Sequence, residues 1–157
     1  MPPEPAFAGA ARALIVGHAV MAIALVVAAT QHAVIAGRQL RGRFERGLAR
    51  LYAAATAATY VAVMGLGLLA YPTFRYQVRA LVLDRHAPWA SNLFDTKEAF
   101  AALGLPVVAI ALGLACVRMD GGDRTLAWAY AVSSWLVAAI VWFDAFSGFA
   151  VAFARGM

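Results

Sequence analysis

Cysteine and charge are what this chain has least of. A single cysteine, Cys116, excludes an intrachain disulfide and any fold stapled by one. Eight acidic and 13 basic residues in 157 leave the charged share at 13%, about half that of a soluble domain. The sequence contains no CxxC, HExxH or GxSxG motif and no glycine-rich phosphate loop. The zinc, metalloprotease, hydrolase and nucleotide-binding signatures are therefore missing, and no residue is assigned as catalytic. No segment repeats at a fixed period.

What replaces charge is apolar bulk. Hydrophobic residues make up 64% of the chain, against roughly 45–50% for soluble domains. A bilayer accepts that surface if helices satisfy every backbone group internally. The composition therefore predicts an all-α integral membrane protein of one domain, residues 1–157. A net charge of +5 invites a nucleic-acid reading, but the arginines sit in short segments between apolar runs, where topology and lipid headgroups account for them. The partners expected are the bilayer and a protein partner or second copy, not nucleic acid. Alanine- and arginine-rich usage with a single lysine, Lys97, fits a GC-rich bacterial genome, so a bacterial inner membrane is expected.

Four runs are long enough to span, at about 11–36, 51–70, 99–117 and 125–154. They form two hairpins separated by an external stretch, 71–98. The proline-bearing start, 1–9, lacks the basic cluster of a signal peptide, and the first run is too long for one. In the external stretch, Pro72 is expected to end helix two. Phe74, Val78, Leu81 and Val82 then trace the apolar face of an amphipathic interfacial helix, with Arg75 and Arg79 on another face. Pro88 closes that helix beside Trp89. Asp95 and Glu98 have capping-box spacing for helix three.

Ionisable residues inside spans are costly, so each is a functional candidate. His18 and His32 are fourteen residues apart, about 21 Å along a helix and about 40° around it. That spacing is similar to the paired haem-ligand histidines on one helix of membrane b-type cytochromes. The resemblance implies haem b on His18 with His32 or His86. Two bis-histidine haems need four histidines and the chain has three, so an inner haem would call on Met119 or a second subunit. The plainer reading is two buried histidines bonded to neighbouring helices.

Asp144 is the one acid well inside a span. Counting from the two chain ends puts His18 at matching depth, which predicts a pair that either handles protons or serves as a structural clasp. Arg75, Arg79, Asp95, Lys97 and Glu98 form an external cluster suited to an anionic or propionate group; snorkelling arginines and helix caps explain the same residues more simply. Tyr52, Trp89, Trp128 and Tyr130 read as interface anchors, and Met21 and Met64 as packing residues.

Three functions fit these residues. The first is a subunit or assembly factor of a larger membrane complex, favoured by the absence of catalytic motifs. The second is a b-type haem electron-transfer protein. The third is a proton-coupled carrier or channel using Asp144 and His18.

Arg38, Arg41, Arg43, Arg46 and Arg50 form a dense basic loop that the positive-inside rule places in the cytoplasm, leaving both termini outside. Cysteines introduced at Gly42 and Ser91 are expected to label from opposite sides of the membrane. Labelling of Gly42→Cys from outside intact cells reverses the orientation.

Overall fold

The computed structural model describes residues 7–43, 45–117 and 123–156. Among them there is no strand, and four helices are long and apolar enough to cross a membrane. They are α1 (Ala11–Leu40), α2 (Arg46–Thr73), α3 (Pro88–Cys116) and α4 (Arg124–Arg155). The segments expected at 1–6 and 118–122, Met119 included, lie outside the described residues.

Each helix packs on two others, α1 on α2 and α4, α3 on α2 and α4. Cross-contacts fix the relative directions. Arg50 reaches Ala115 while Tyr60 reaches Ala101, Gly37 meets Trp135 while Thr30 meets Trp142, Lys97 meets Gly148 while Phe100 meets Phe143, and His18 meets Val63 while Ala36 clusters with Ala49, so every neighbouring pair runs antiparallel. Alanine lines the seams: Ala29, Ala36, Ala49, Ala53, Ala111, Ala115 and Ala131 are all buried. Such small side chains let helices approach closely where lipid supplies no hydrophobic drive between them. The outward faces carry Ile23, Leu68 and Phe149, each about two-thirds exposed or more (68%, 68% and 74%). Two tryptophans tie α4 to α1: the Trp135 indole donates to Ala33 O at 3.2 Å and that of Trp142 to Thr30 Oγ1 at 3.1 Å.

The first span runs four residues beyond the expected end and stops in a Schellman motif. Gly42 takes φ +79°, Arg43 N–H bonds Arg38 O at 3.2 Å, and Gly42 N–H bonds Gln39 O at 3.0 Å. An Arg38–Glu45 ion pair then closes the loop.

The external stretch departs most from expectation. Pro72 does not end helix two, because the helix continues through it to Thr73 and passes directly into a π-helical segment, Phe74–Leu83, and a last turn, Asp84–His86. Proline removes the donor to Leu68 O and crowds that carbonyl. The wider i→i+5 winding that follows, with Asp84 N–H on Arg79 O, is a way for a helix to absorb such a defect. Wider winding also moves the buried face: Val78 and Leu83, five apart, are buried, while Leu81 is exposed. The helix breaks only at Ala87, and Pro88 opens α3 at the first helical position instead of closing its predecessor. Asp95 and Glu98 therefore lie within α3 and cap nothing. Ser91 is buried with its hydroxyl on Asp84 at 2.5 Å, and Gly42 needs its positive φ, so Gln77 and Gly47, both exposed, are the better labelling sites.

Gly104 is a tight point of the bundle. A Cβ there would stand 2.8 Å from Tyr60 Cζ, whereas one at Gly113 in the same helix meets nothing within 4 Å. Gly104→Ala is expected to destabilise by about 1–3 kcal/mol through overpacking, and Gly113→Ala to be neutral or stabilising, as measured by reversible unfolding in mixed micelles. Equal effects contradict this packing.

Candidate functional site

Toward the end of the bundle opposite the Arg38–Arg50 loop, each of the four helices contributes one polar side chain to a common region. From α1, His18 places Nδ1 3.0 Å from Val63 O. A carbonyl can only accept, so Nδ1 carries the proton and, in the neutral ring, Nε2 keeps its lone pair. Gly67 makes room for the ring: a Cβ there would lie 3.3 Å from His18 Cε1.

From α4 comes Asp144. Its Oδ1 is shut away from solvent without a hydrogen-bond partner. From α3 comes Lys97, whose ammonium acts electrostatically on both Asp144 and His18. Its stem crosses Gly148, where a Cβ would meet Lys97 Cε at 3.5 Å, and its Nζ stands 5.8 Å from the centre of the Phe94 ring. From α2, the Tyr60 hydroxyl donates to Ala101 O at 2.8 Å and feels the Asp144 charge. No hydrogen bond or ion pair closes between His18, Lys97 and Asp144. Lys97 acts across space on His18 and on Asp144.

The sequence brought His18 and Asp144 to one depth. The structure gives each a different immediate environment and puts Lys97 in reach of both. Lys97 thus separates from the external cluster to which the sequence assigned it. The reason is the start of α3: with the helix beginning at Pro88, Lys97 is in its third turn and points inward.

The remaining external residues divide. Arg79 binds Asp95 with two bonds, 2.5 and 2.8 Å, and its Nε lies 3.8 Å from Asp84. The Asp95 hydrogen bond holds the Arg79 guanidinium protonated beyond its usual range. Arg75 is exposed and lines, with Tyr71, Arg79 and Asp84, an open cleft of about 440 Å³. Glu98 is exposed, within the fields of Asp95, Lys97 and Arg79.

His32 and His86 join neither His18 nor each other. His86 is exposed on the last turn before Ala87. His32 is 1% exposed, with its ring 5.5 Å from that of Tyr130 and its Nε2 3.2 Å from Ser134 Oγ. Ser134 spends its one hydroxyl proton on Tyr130 O at 2.7 Å, so His32 Nε2–H is the donor between them and Nδ1 is a bare acceptor. Nδ1 has no partner.

Tyr130, expected at the interface, is fully buried, whereas Trp89 and Trp128 are exposed. Met64 packs against the middle of the core. Tyr60, Thr56 and Ser134 are polar groups whose part in the interior the sequence did not single out. The available signal was helical spacing, since Thr56 and Tyr60 are one turn apart on α2 and share a face.

If Lys97 supplies the counter-charge to Asp144, Lys97→Met is expected to cost about 2–4 kcal/mol by leaving a carboxylate uncompensated. Asp144→Asn in that background is then expected to recover more than half of the loss. Additive effects of the two substitutions contradict the coupling. No protein-family model, curated protein or solved structure matches this chain.

Proposed function

We propose that this chain is a small multi-pass membrane protein whose working part is the His18–Tyr60–Lys97–Asp144 region, and that it handles protons as a carrier or channel. One observation carries the reading. The half-buried Asp144 has its Oδ1 sealed from solvent without a hydrogen-bond partner, within the field of Lys97, with which it closes no ion pair. A structural clasp gains its stability by closing such a pair with full hydrogen bonding. A carboxylate that exchanges protons needs the opposite: a nearby cation to moderate its charge and a free oxygen to receive the proton. His18, with Nδ1 fixed on Val63, presents Nε2 as the second exchangeable site.

In this reading the helices stand as two hairpins in a bacterial inner membrane, with the arginine-rich loop inside, both termini outside and the 74–83 segment at the outer interface. Membership of a larger complex or homo-oligomer is compatible with it. That reading draws on the exposed stripe Phe146, Phe149 and Phe153 along α4, which suits a partner helix as well as lipid. Haem b is the least supported, because His32 is packed on Tyr130 and Ser134 and the histidines do not converge.

Proton uptake into lipid vesicles holding an entrapped pH dye, under an imposed potassium-diffusion potential, tests the proposal. Purified wild-type protein is expected to conduct and Asp144→Asn to lose conduction by at least about tenfold, the scale of 1.4 kcal/mol in a barrier. Wild-type flux no greater than that of empty vesicles removes the reading and leaves the subunit role.

A further inference from the structure

Below Asp144 the interior is not uniformly apolar. Apart from Arg38 Nε and Thr73 Oγ1 near the helix ends, four further side-chain atoms are sealed from solvent without partners: Thr56 Oγ1, His32 Nδ1, Tyr130 Oη and Gln39 Oε1. Their residues are at most 4% exposed. Buried polar atoms are almost always bonded to protein or to ordered water, so four orphans in one bundle call for a physical partner. Thr56 makes the point by contrast. Thr30 and Thr59 return their hydroxyls to the i−4 carbonyl of their own helix, at 2.7 Å each, and Thr56 does not.

The orphans are also ordered by depth. At about 1.5 Å per residue from the inner helix ends, Gln39 lies about 2 Å in, Tyr130 about 9, His32 about 12, Thr56 about 15, Tyr60 about 21 and Asp144 about 30 Å. They come from α1, α2 and α4, three helices that meet along α1. His32 and Tyr130 are in ring contact, and Thr56 stands between Ala53 of the inner apolar cluster and Tyr60 of the middle one. Their chemistry is complementary: Nδ1 and Oε1 accept, and the two hydroxyls donate.

We propose that the interior holds a file of bound water molecules, gripped by Thr56, His32, Tyr130 and Gln39, that conducts protons between Asp144 and the arginine-rich inner end. The proposal rests on the proton-handling reading of Asp144. A proton leaves the Asp144 carboxyl as its O–H bond breaks, and the electron pair stays on the carboxylate. Each water accepts a proton on a lone pair and releases another onward. The Nδ1 lone pair of His32 takes the proton and later gives it up from the same atom, while Nε2–H on Ser134 holds the ring in place. At the inner end the proton passes to bulk water beside Arg38 and Glu45. Asp144 is reprotonated from the outer side, where Lys97 lies within its field. No electron moves and no co-reactant is consumed.

Two measurements on the full-length protein in lipid vesicles test the file. Hydroxyl-radical labelling reports water beside a side chain, and Tyr130 is expected to label comparably to exposed Tyr76. Proton flux is expected to fall at least about tenfold in Thr56→Val and Tyr130→Phe, to return in Thr56→Ser, which keeps the hydroxyl, and to stay at the wild-type value in Thr59→Val. An unlabelled Tyr130 means a dry core and overturns the file. Flux unchanged in Thr56→Val and Tyr130→Phe but lost in Asp144→Asn overturns this route and leaves Asp144 as a proton site. A labelled Tyr130 in a protein that conducts nothing overturns conduction and the proton reading together.

Discussion

The structure depends on how an apolar bundle accommodates one carboxylate. A charge at membrane depth costs several kcal/mol unless it is compensated, and Asp144 has compensation without closure, with Lys97 in electrostatic reach but no hydrogen bond to its buried oxygen. Much of the surrounding packing serves that arrangement. Lys97 reaches inward because α3 starts seven residues before Asp95. Its stem lies across Gly148, the His18 ring lies across Gly67, and Tyr60 lies across Gly104. At each of these places a missing side chain on one helix admits a polar one from another.

The same logic explains why so small a protein can hold polar groups inside at all. Alanine seams bring the four backbones close, so the interior is narrow and helix faces decide what enters it. Bulky residues face outward, where lipid is as good a solvent as protein. The interior is left mainly with alanine and valine, a few larger residues such as Leu25 and Ile35, a few polar groups, and the rings of His32, Tyr60 and Tyr130. In such a space a polar atom has few neighbours able to satisfy it, which is why orphaned donors and acceptors accumulate there rather than at the clasp of Arg79, Asp84 and Asp95, where every charge finds a partner.

The four apolar helices could be read from composition and run length, because both follow from solvent transfer alone. Counting residues from the two chain ends gave the expectation that His18 and Asp144 share a depth. Helix ends near proline were misread for one reason: Pro72 and Pro88 were treated as terminators, and a local steric rule was overridden by tertiary context. At Pro72 the backbone stays helical by changing its winding; at Pro88 the missing donor costs nothing at a first helical turn. Because α3 starts at Pro88 and not near Ala99, Lys97 belongs to the bundle side of the helix, and Asp95 and Glu98 are not caps. Tyr130 looked like an anchor because it lies near a span end, and only the rotation of α4 buries it. Which threonine hydroxyl returns to its own helix, as Thr59 does and Thr56 does not, has no trace in residue order.

The central claim is that Asp144 exchanges its proton under the control of Lys97. Infrared difference spectroscopy of the protein in lipid nanodiscs, titrated with acid and base, reads that exchange directly through the carboxylic C=O stretch. The account predicts a titrating band that vanishes in Asp144→Asn and moves its midpoint in Lys97→Met. A spectrum without such a band, or one whose midpoint ignores the loss of Lys97, contradicts it.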